Sequence, residues 1–270
     1  MSEEKTILIC GIGQTASAVA WRLFREDYAV ALQQETPPAT LHRRMAFSDA
    51  WFDGVASLEG VEARRAQTSG DFLLGLRSRQ FIPILAQPLE EIVGRWPWDV
   101  IIGTEVLDAR VKLNDFAEFS IGLGAGYVAG ENCDLVIETS GPDPGASIRA
   151  GSAPDRGAAA SDKDRCRAVL APDSGVFRPA RAIGEIVERG DIVGEVEGAS
   201  APAPIHGRIG GMARAGRAVV RGETIAEIFG ARATPTTGVD RRNRLIARGV
   251  AFAVEMEFEG WAPISFDGRG

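Results

Sequence analysis

The feature that most limits how this chain can fold is a 32-residue internal repeat between residues 171 and 228. The first copy reads Ala171-Pro172, Gly175, Gly184, then Val187-x-Arg189-Gly190-Asp191-x-Val193-Gly194-Glu195-Val196. The second reads Ala203-Pro204, Gly207, Gly216, then Val219-x-Arg221-Gly222-Glu223-x-Ile225-Ala226-Glu227-Ile228, in register throughout and without a gap. So many coincidences at one spacing define a duplicated supersecondary unit that has to bury its apolar face against its twin. The Gly-[Asp/Glu] pairs suit tight turns, where glycine supplies positive φ cheaply. Ile192–Val196 and Thr224–Ile228 alternate apolar and polar residues, as half-buried strands do.

This cadence resembles the biotinyl/lipoyl-type family of small barrel-sandwich domains. In carriers of that family a modified lysine stands on the hairpin joining the halves. Here the join is Glu197-Gly198-Ala199-Ser200-Ala201-Pro202 and holds no lysine. The resemblance therefore implies a docking or spacer module at residues 169–230 rather than a covalent carrier. His206, beside Pro204 at a turn, reads as a surface histidine.

Residues 1–140 have a different grain. Thr6-Ile7-Leu8-Ile9-Cys10 is a continuous apolar run, which suits a buried parallel strand. It enters Gly11-Ile12-Gly13-Gln14-Thr15-Ala16 and then an amphipathic stretch to Arg25. Strand, GxGxxA, helix is the setting in which this motif presents backbone amides and a helix dipole to an anion. Glu35 follows the next strand, 22 residues past Gly13, near where a ribose-binding carboxylate would stand. Two readings stay open: a nucleotide or dinucleotide site, or a Rossmann-like unit whose glycines serve packing.

Further strands are predicted at Phe81–Leu85, Asp99–Gly103 and Leu135–Glu138. Arg43 and Arg44 are placed either to clamp a phosphate or on a solvated basic face. In Ile121–Gly130 every second residue from Gly122 to Gly126 is glycine, so Gly124 and Gly126 are candidates for close backbone approach to a ligand. Trp51, Phe52, Trp96 and Trp98 suit either partner anchors or core. Residues 141–168 are rich in Gly, Pro, Ala, Ser and Asp and read as a linker or mobile loop. Residues 231–270 carry a helical pattern from Asp240 to Met256 expected to pack back on the first unit. The fold class expected is thus α/β, a Rossmann-like parallel-sheet domain plus a small all-β barrel-sandwich (lipoyl-like) domain.

Charge and composition narrow the function. A net charge of −7 argues against a nucleic-acid partner or an anionic membrane surface. No apolar run is long enough for a membrane span, and the acidic start does not suit a secretory signal. Cys10, Cys133 and Cys166, odd in number and far apart, fit reduced thiols in a cytoplasmic setting. With only two histidines, His42 and His206, and no CxxC or HExxH, no metal site is expected.

Taken together, the segments ILICGIGQTASAVAWRL, ETPPATLHRRMAFSDAWFDG, DVIIG and IGLGAGYVAGENCDLVIET, with the repeat, resemble the YqeB family, accessory proteins of the selenium-dependent molybdenum hydroxylase system. The resemblance implies a cytoplasmic maturation factor that binds a phosphorylated or nucleotide-like ligand and a protein partner, a metalloenzyme or a complex subunit. An NAD(P)-dependent oxidoreductase and a non-catalytic scaffold subunit are the alternatives. Three positions depart from the family pattern. Gln14 stands where an Asp usually follows the glycines. Gly103-Thr104, with Asp108 nearby, replaces an Asp-Ala and a downstream Lys. Ser140–Gly145 replaces an Arg-Gly-His run. The missing acid, lysine and histidine imply a divergent member with a changed ligand or no turnover.

Overall fold

The computed structural model describes residues 5–104, 111–153, 166–230 and 235–259. Its framework is a nine-stranded sheet and two four-stranded sheets. The large sheet is built from β1 (Thr6–Cys10), β2 (Ala29–Gln33), β3 (Val55–Leu58), β4 (Val61–Arg65), β5 (Ile82–Leu85), β6 (Trp98–Gly103), β7 (Ala117–Leu123), β9 (Leu135–Ile137) and β10 (Ser147–Ile148). Their order is β10-β9-β7-β6-β1-β2-β5-β4-β3. The seven strands from β9 to β4 run parallel, whereas β3 and β10 are antiparallel edges. Two short strands, β8 (Val128–Ala129) and β11 (Gly151–Ser152), pair beside the sheet.

Helices cover both faces. α1 (Gln14–Arg25) and α5 (Arg241–Glu259) pack on each other over one face, with Ile7, Ile9, Val19, Leu23, Val250 and Val254 in a single core cluster. α3 (Ser69–Ser78) and α4 (Leu89–Arg95) lie over the other, which buries Leu8, Ile101, Leu76 and Ile92. A one-turn helix, α2 (Ala50–Asp53), precedes β3. Central strands covered on both sides must be apolar at every position, and β1, β2, β5 and β6 meet that demand almost without exception.

The expectation of a Rossmann-like parallel-sheet domain joined to a small lipoyl-like barrel-sandwich domain is corrected here. The first unit is a mixed sheet with an antiparallel strand at each end. The physical cause at one end is the turn Glu59-Gly60, where both residues take positive φ (47° and 83°) and reverse the chain into a hairpin. At the other end Ser147–Ile148, inside the segment read as a linker, folds back on β9. In place of a lipoyl-like barrel, residues 166–229 form two separate four-stranded antiparallel sheets.

Those two sheets are copies of one another. The first is β12 (Cys166–Leu170), β19 (Thr224–Phe229), β17 (Gly207–Met212) and β14 (Ile186–Val187). The second is β16 (Ala199–Pro202), β15 (Ile192–Val196), β13 (Gly175–Pro179) and β18 (Ala218–Val219). Each strand is matched by one 32 residues away in the other sheet. Each sheet draws two strands from each half of the sequence, β12 and β14 joining β17 and β19 in the first and β16 and β18 joining β13 and β15 in the second, so the halves interlock. Phe177, Val193, Val196, Ile209, Ile225 and Ile228 share one core between them.

The glycine-rich stretch that begins within β7 serves packing at its start. The buried ring of Tyr127 lies on Gly103 and Gly122, where a Cβ would come within 2.1 Å and 2.2 Å of Tyr127 atoms. Gly122→Ala should therefore force a shift of strand or ring and cost on the order of 1–3 kcal/mol. Urea unfolding checks this, and a change below a few tenths of a kcal/mol would contradict the packing.

Candidate functional site

The chain leaves β1 through α1 to β2 on one side and reaches β6, on the other side of β1, only after β5 and α4. In open parallel sheets such a reversal of strand order opens a crevice beyond the carboxyl ends of the two strands. Gly11-Ile12-Gly13 and Gly103-Thr104 stand there. Gly11 takes a φ of 111°, and a Cβ on it would lie 2.2 Å from Thr104 Oγ1. Thr104 closes the floor: its hydroxyl donates to Cys10 O at 2.6 Å and its amide to the same carbonyl at 3.2 Å.

Gly13 behaves differently. It is the N-cap of α1 with φ −68° and ψ −174°, and no side chain caps the helix. A Cβ added to it would meet nothing within 4 Å. Ser17 is the first amide to find a helical acceptor, Gly13 O at 2.9 Å, so the amides of Gln14, Thr15 and Ala16 precede the ladder. Residues 13–15 are half-buried. The Gln14 amide group leans away, with Nε2 at 3.5 Å from the Met45 sulfur. Thr15 Oγ1 donates to Asn243 on α5, whose own amide is held by Asp240.

Of the remaining candidates, Gly124 and Gly126 lie just past β7 at the same carboxyl edge, both with positive φ. Gly124 is packed against the Thr139 hydroxyl. Glu35 stands exposed two residues beyond β2. Asp108 lies outside the described residues. Burial pushes the Cys10 thiol up to about 12, so at the foot of this loop it stays protonated. Burial likewise raises Cys133, to about 11.

Arg43 and Arg44 do not point at the loop. Arg43 donates from Nε to Met212 O (3.0 Å) and from Nη1 to Asp49 (2.7 Å). Arg44 gives its carbonyl to the Gly238 amide, and its guanidinium lies beside Gly184. Both arginines belong to a strap, residues 39–53, that fastens the repeat sheets to the large sheet. Met212 N donates to Leu41 O at 2.8 Å, and Arg217 reaches Ala39 O at 3.4 Å. His42 stacks on Phe229 (centroids 5.8 Å apart), with Nε2 3.0 Å from a Glu227 oxygen. Arg214 is gripped by Asp49 and Asp53 and lies over the Phe52 ring. The second histidine, His206, pairs with Glu188 on the surface of the repeat unit.

The strap and the loop are coupled through one buried hydroxyl. Ser17 Oγ donates to Ile12 O (3.1 Å) and accepts from Phe47 N (2.8 Å), with Ser17 and Phe47 both fully buried. A serine inside an apolar helix face carries little sequence signal, so sequence reasoning misses this link. It also misses a cleft between α3 and α4, whose lining comes from residues 66–73 and 85–96.

Among the described residues no three His, Cys, Asp or Glu side chains converge as a metal site. None of the described helices is long and apolar enough to cross a membrane.

No protein-family model matches the chain. It is 32% identical over 264 residues to the uncharacterized protein YqeB of Escherichia coli (strain K12), an alignment covering 94% of this chain and 48% of that protein. The chain thus spans about half the length of the curated relative it matches. A succinylglutamate desuccinylase/aspartoacylase from Rhodobacter sphaeroides aligns at 18% identity over 38% of this chain and 26% of its own, with a TM-score of 0.22. An aspartoacylase family protein from Mesorhizobium loti aligns at 11% identity over 86% of each chain, with a TM-score of 0.26. Scores this low carry no conclusion about fold or activity.

The Asp53–Arg214 contact gives a test of the junction. The hydrogen bond from Arg214 holds the Asp53 carboxyl below its ordinary value of 3.8. A lowered native value means the contribution is present above 3.8 and is lost as pH falls through the lower native value. Asp53 is half exposed, so the pair is worth at most about 1 kcal/mol. The stability gap between the protein and Asp53→Asn, measured by urea unfolding, should therefore be largest near neutrality and close on acidification. A gap that widens in acid would contradict the assignment.

Proposed function

We propose that this chain is an accessory factor that holds a phosphorylated or nucleotide-like ligand at the amino end of α1 and presents it to a protein partner. The observation that carries this reading is the set of three amides, Gln14, Thr15 and Ala16, left without a cap at the sheet's point of strand reversal, with Gly13 open in front of them. An anion there takes up the orphan donors and meets the positive end of the helix dipole. Likeness to YqeB supports a YqeB-like setting, and resemblance to that family's segments supports service to a molybdenum hydroxylase. Binding without turnover fits the surroundings. His42 lies on Phe229 and His206 beside Glu188, both at the repeat sheets and away from the loop, and burial keeps the Cys10 thiol protonated at its foot.

Gly13→Asp separates ligand binding from folding. The φ of Gly13 is negative and a Cβ has room there, so the new carboxylate can cap α1 itself, adding a few tenths of a kcal/mol of stability. Calorimetric titration with ATP, NAD(H) and inorganic phosphate should give saturable heat with at least one of them. The Gly13→Asp variant should lose that heat while its melting temperature is kept or raised. No heat with any of the three would overturn the ligand reading.

The partner half is tested in cells. The tagged chain should co-purify with a molybdenum hydroxylase, and deletion should depress that enzyme's activity. Absence of both effects would remove the maturation role and leave the ligand site standing.

A further inference from the structure

We propose that the cleft between α3 and α4 binds an uncharged planar heterocycle of nucleobase size, at a site independent of the α1 loop. The cleft, open to solvent along one side, holds about 350 Å³, enough for one small ring system, over the carboxyl ends of β4 and β5. Leu85, Ile92, Phe72 and Trp96 give it a continuous apolar part, with Thr68 and Ser69 at the α3 end. The aromatic wall is held in place, because Phe72 meets Trp96 edge-on (5.3 Å, 88°) and is backed by the buried Trp98 at 6.0 Å. A flat ring gains dispersion and hydrophobic burial against such a wall, where a flexible aliphatic chain would lose conformational entropy.

The polar groups set the charge and the hydrogen-bond pattern. Gln67 and Gln87 line the cleft from the ends of β4 and β5. Gln67 uses its backbone amide on Asp71, and Gln87 its carbonyl on Gln33; among the described residues neither side-chain carboxamide makes a hydrogen bond. A carboxamide offers a donor and an acceptor side by side, which matches the donor–acceptor edge of a heterocycle. At the rim Glu91 and Arg95 neutralise each other at 2.9 Å.

An anion is disfavoured here for a reason visible in the adjoining helix. The amino end of α3 already has its anion: Asp71 accepts from the amides of Gln67 and Thr68, and the Thr68 hydroxyl caps the Asp71 amide in return. A phosphate therefore finds the amides at this helix end already taken by a carboxylate. The α1 terminus, uncapped and without an acid in its first turn, is the opposite case.

The probes are adenine, cytosine and uracil, titrated into the full chain and followed by tryptophan fluorescence and ligand-observed NMR. At least one base should bind saturably. Gln67→Ala and Gln87→Ala alter exposed side chains and should leave the fold intact, each weakening that base about tenfold. Gly13→Asp should leave it unchanged. Absence of binding at millimolar base would overturn the proposal, and so would binding indifferent to both glutamine changes. Loss of binding in Gly13→Asp would also overturn it, because the ring would then belong to the α1 site.

Discussion

The architecture depends on a strap, residues 39–53, that belongs to the first unit in sequence and to the repeat sheets in contacts. Its anchoring is layered. The backbone bond between Leu41 and Met212 extends the edge of β17. Arg43 and Arg214 then share Asp49 from opposite sides of the junction. Glycine makes the approach possible: a Cβ on Gly211 would sit 3.1 Å from both Leu41 and His42, and one on Gly210 would enter the Phe229 ring on which His42 stacks. Partly exposed ion pairs contribute little to such a junction by themselves. The close, glycine-permitted packing fixes it, and the ion pairs set its register.

This explains why the segment RRMAFSDA is so distinctive in sequence while its arginines lie far from the α1 loop. Two adjacent arginines invite a phosphate-clamp reading because the guanidinium fork suits phosphate oxygens. The same fork suits a backbone carbonyl and a carboxylate, and Arg43 uses it on Met212 and Asp49. Nothing local distinguishes the two uses, since the partners stand 169 and 6 residues away. The glycines of β7 are ambiguous in the same way. Gly122 is a bed for Tyr127, a purpose that becomes visible only once Tyr127 is seen to fold back over the strand.

Legible in the sequence are the features carried by short-range pattern. The apolar run of β1, the glycine turn into α1 and the 32-residue repeat each state a local backbone requirement, and each lies where that requirement places it. Sheet edges depend on chain reversals that a single Glu-Gly pair can cause, so β3, β4, β7 and β10 stay hidden, and with them the mixed sheet, although β1, β2, β5, β6 and β9 do not. The cleft between α3 and α4 escapes because glutamine and tryptophan carry no marker of chemistry. Only convergence of two separate loops turns them into a site.

Ser17 bears on how the two units work together. Coupling between a ligand site and a docking surface requires an element with two arrangements that both sites bias. Ser17 has both of its hydrogen bonds made, to Ile12 O and from Phe47 N, in a fully buried position. Breaking either would leave a buried polar group unsatisfied, at about 1–3 kcal/mol. Phe47 is itself fully buried in the core cluster shared with α1 and α5. The link therefore has one arrangement, and it transmits position rather than a switch. On the proposed reading the repeat sheets are a fixed handle, because the strap sets their distance and angle to the open end of α1.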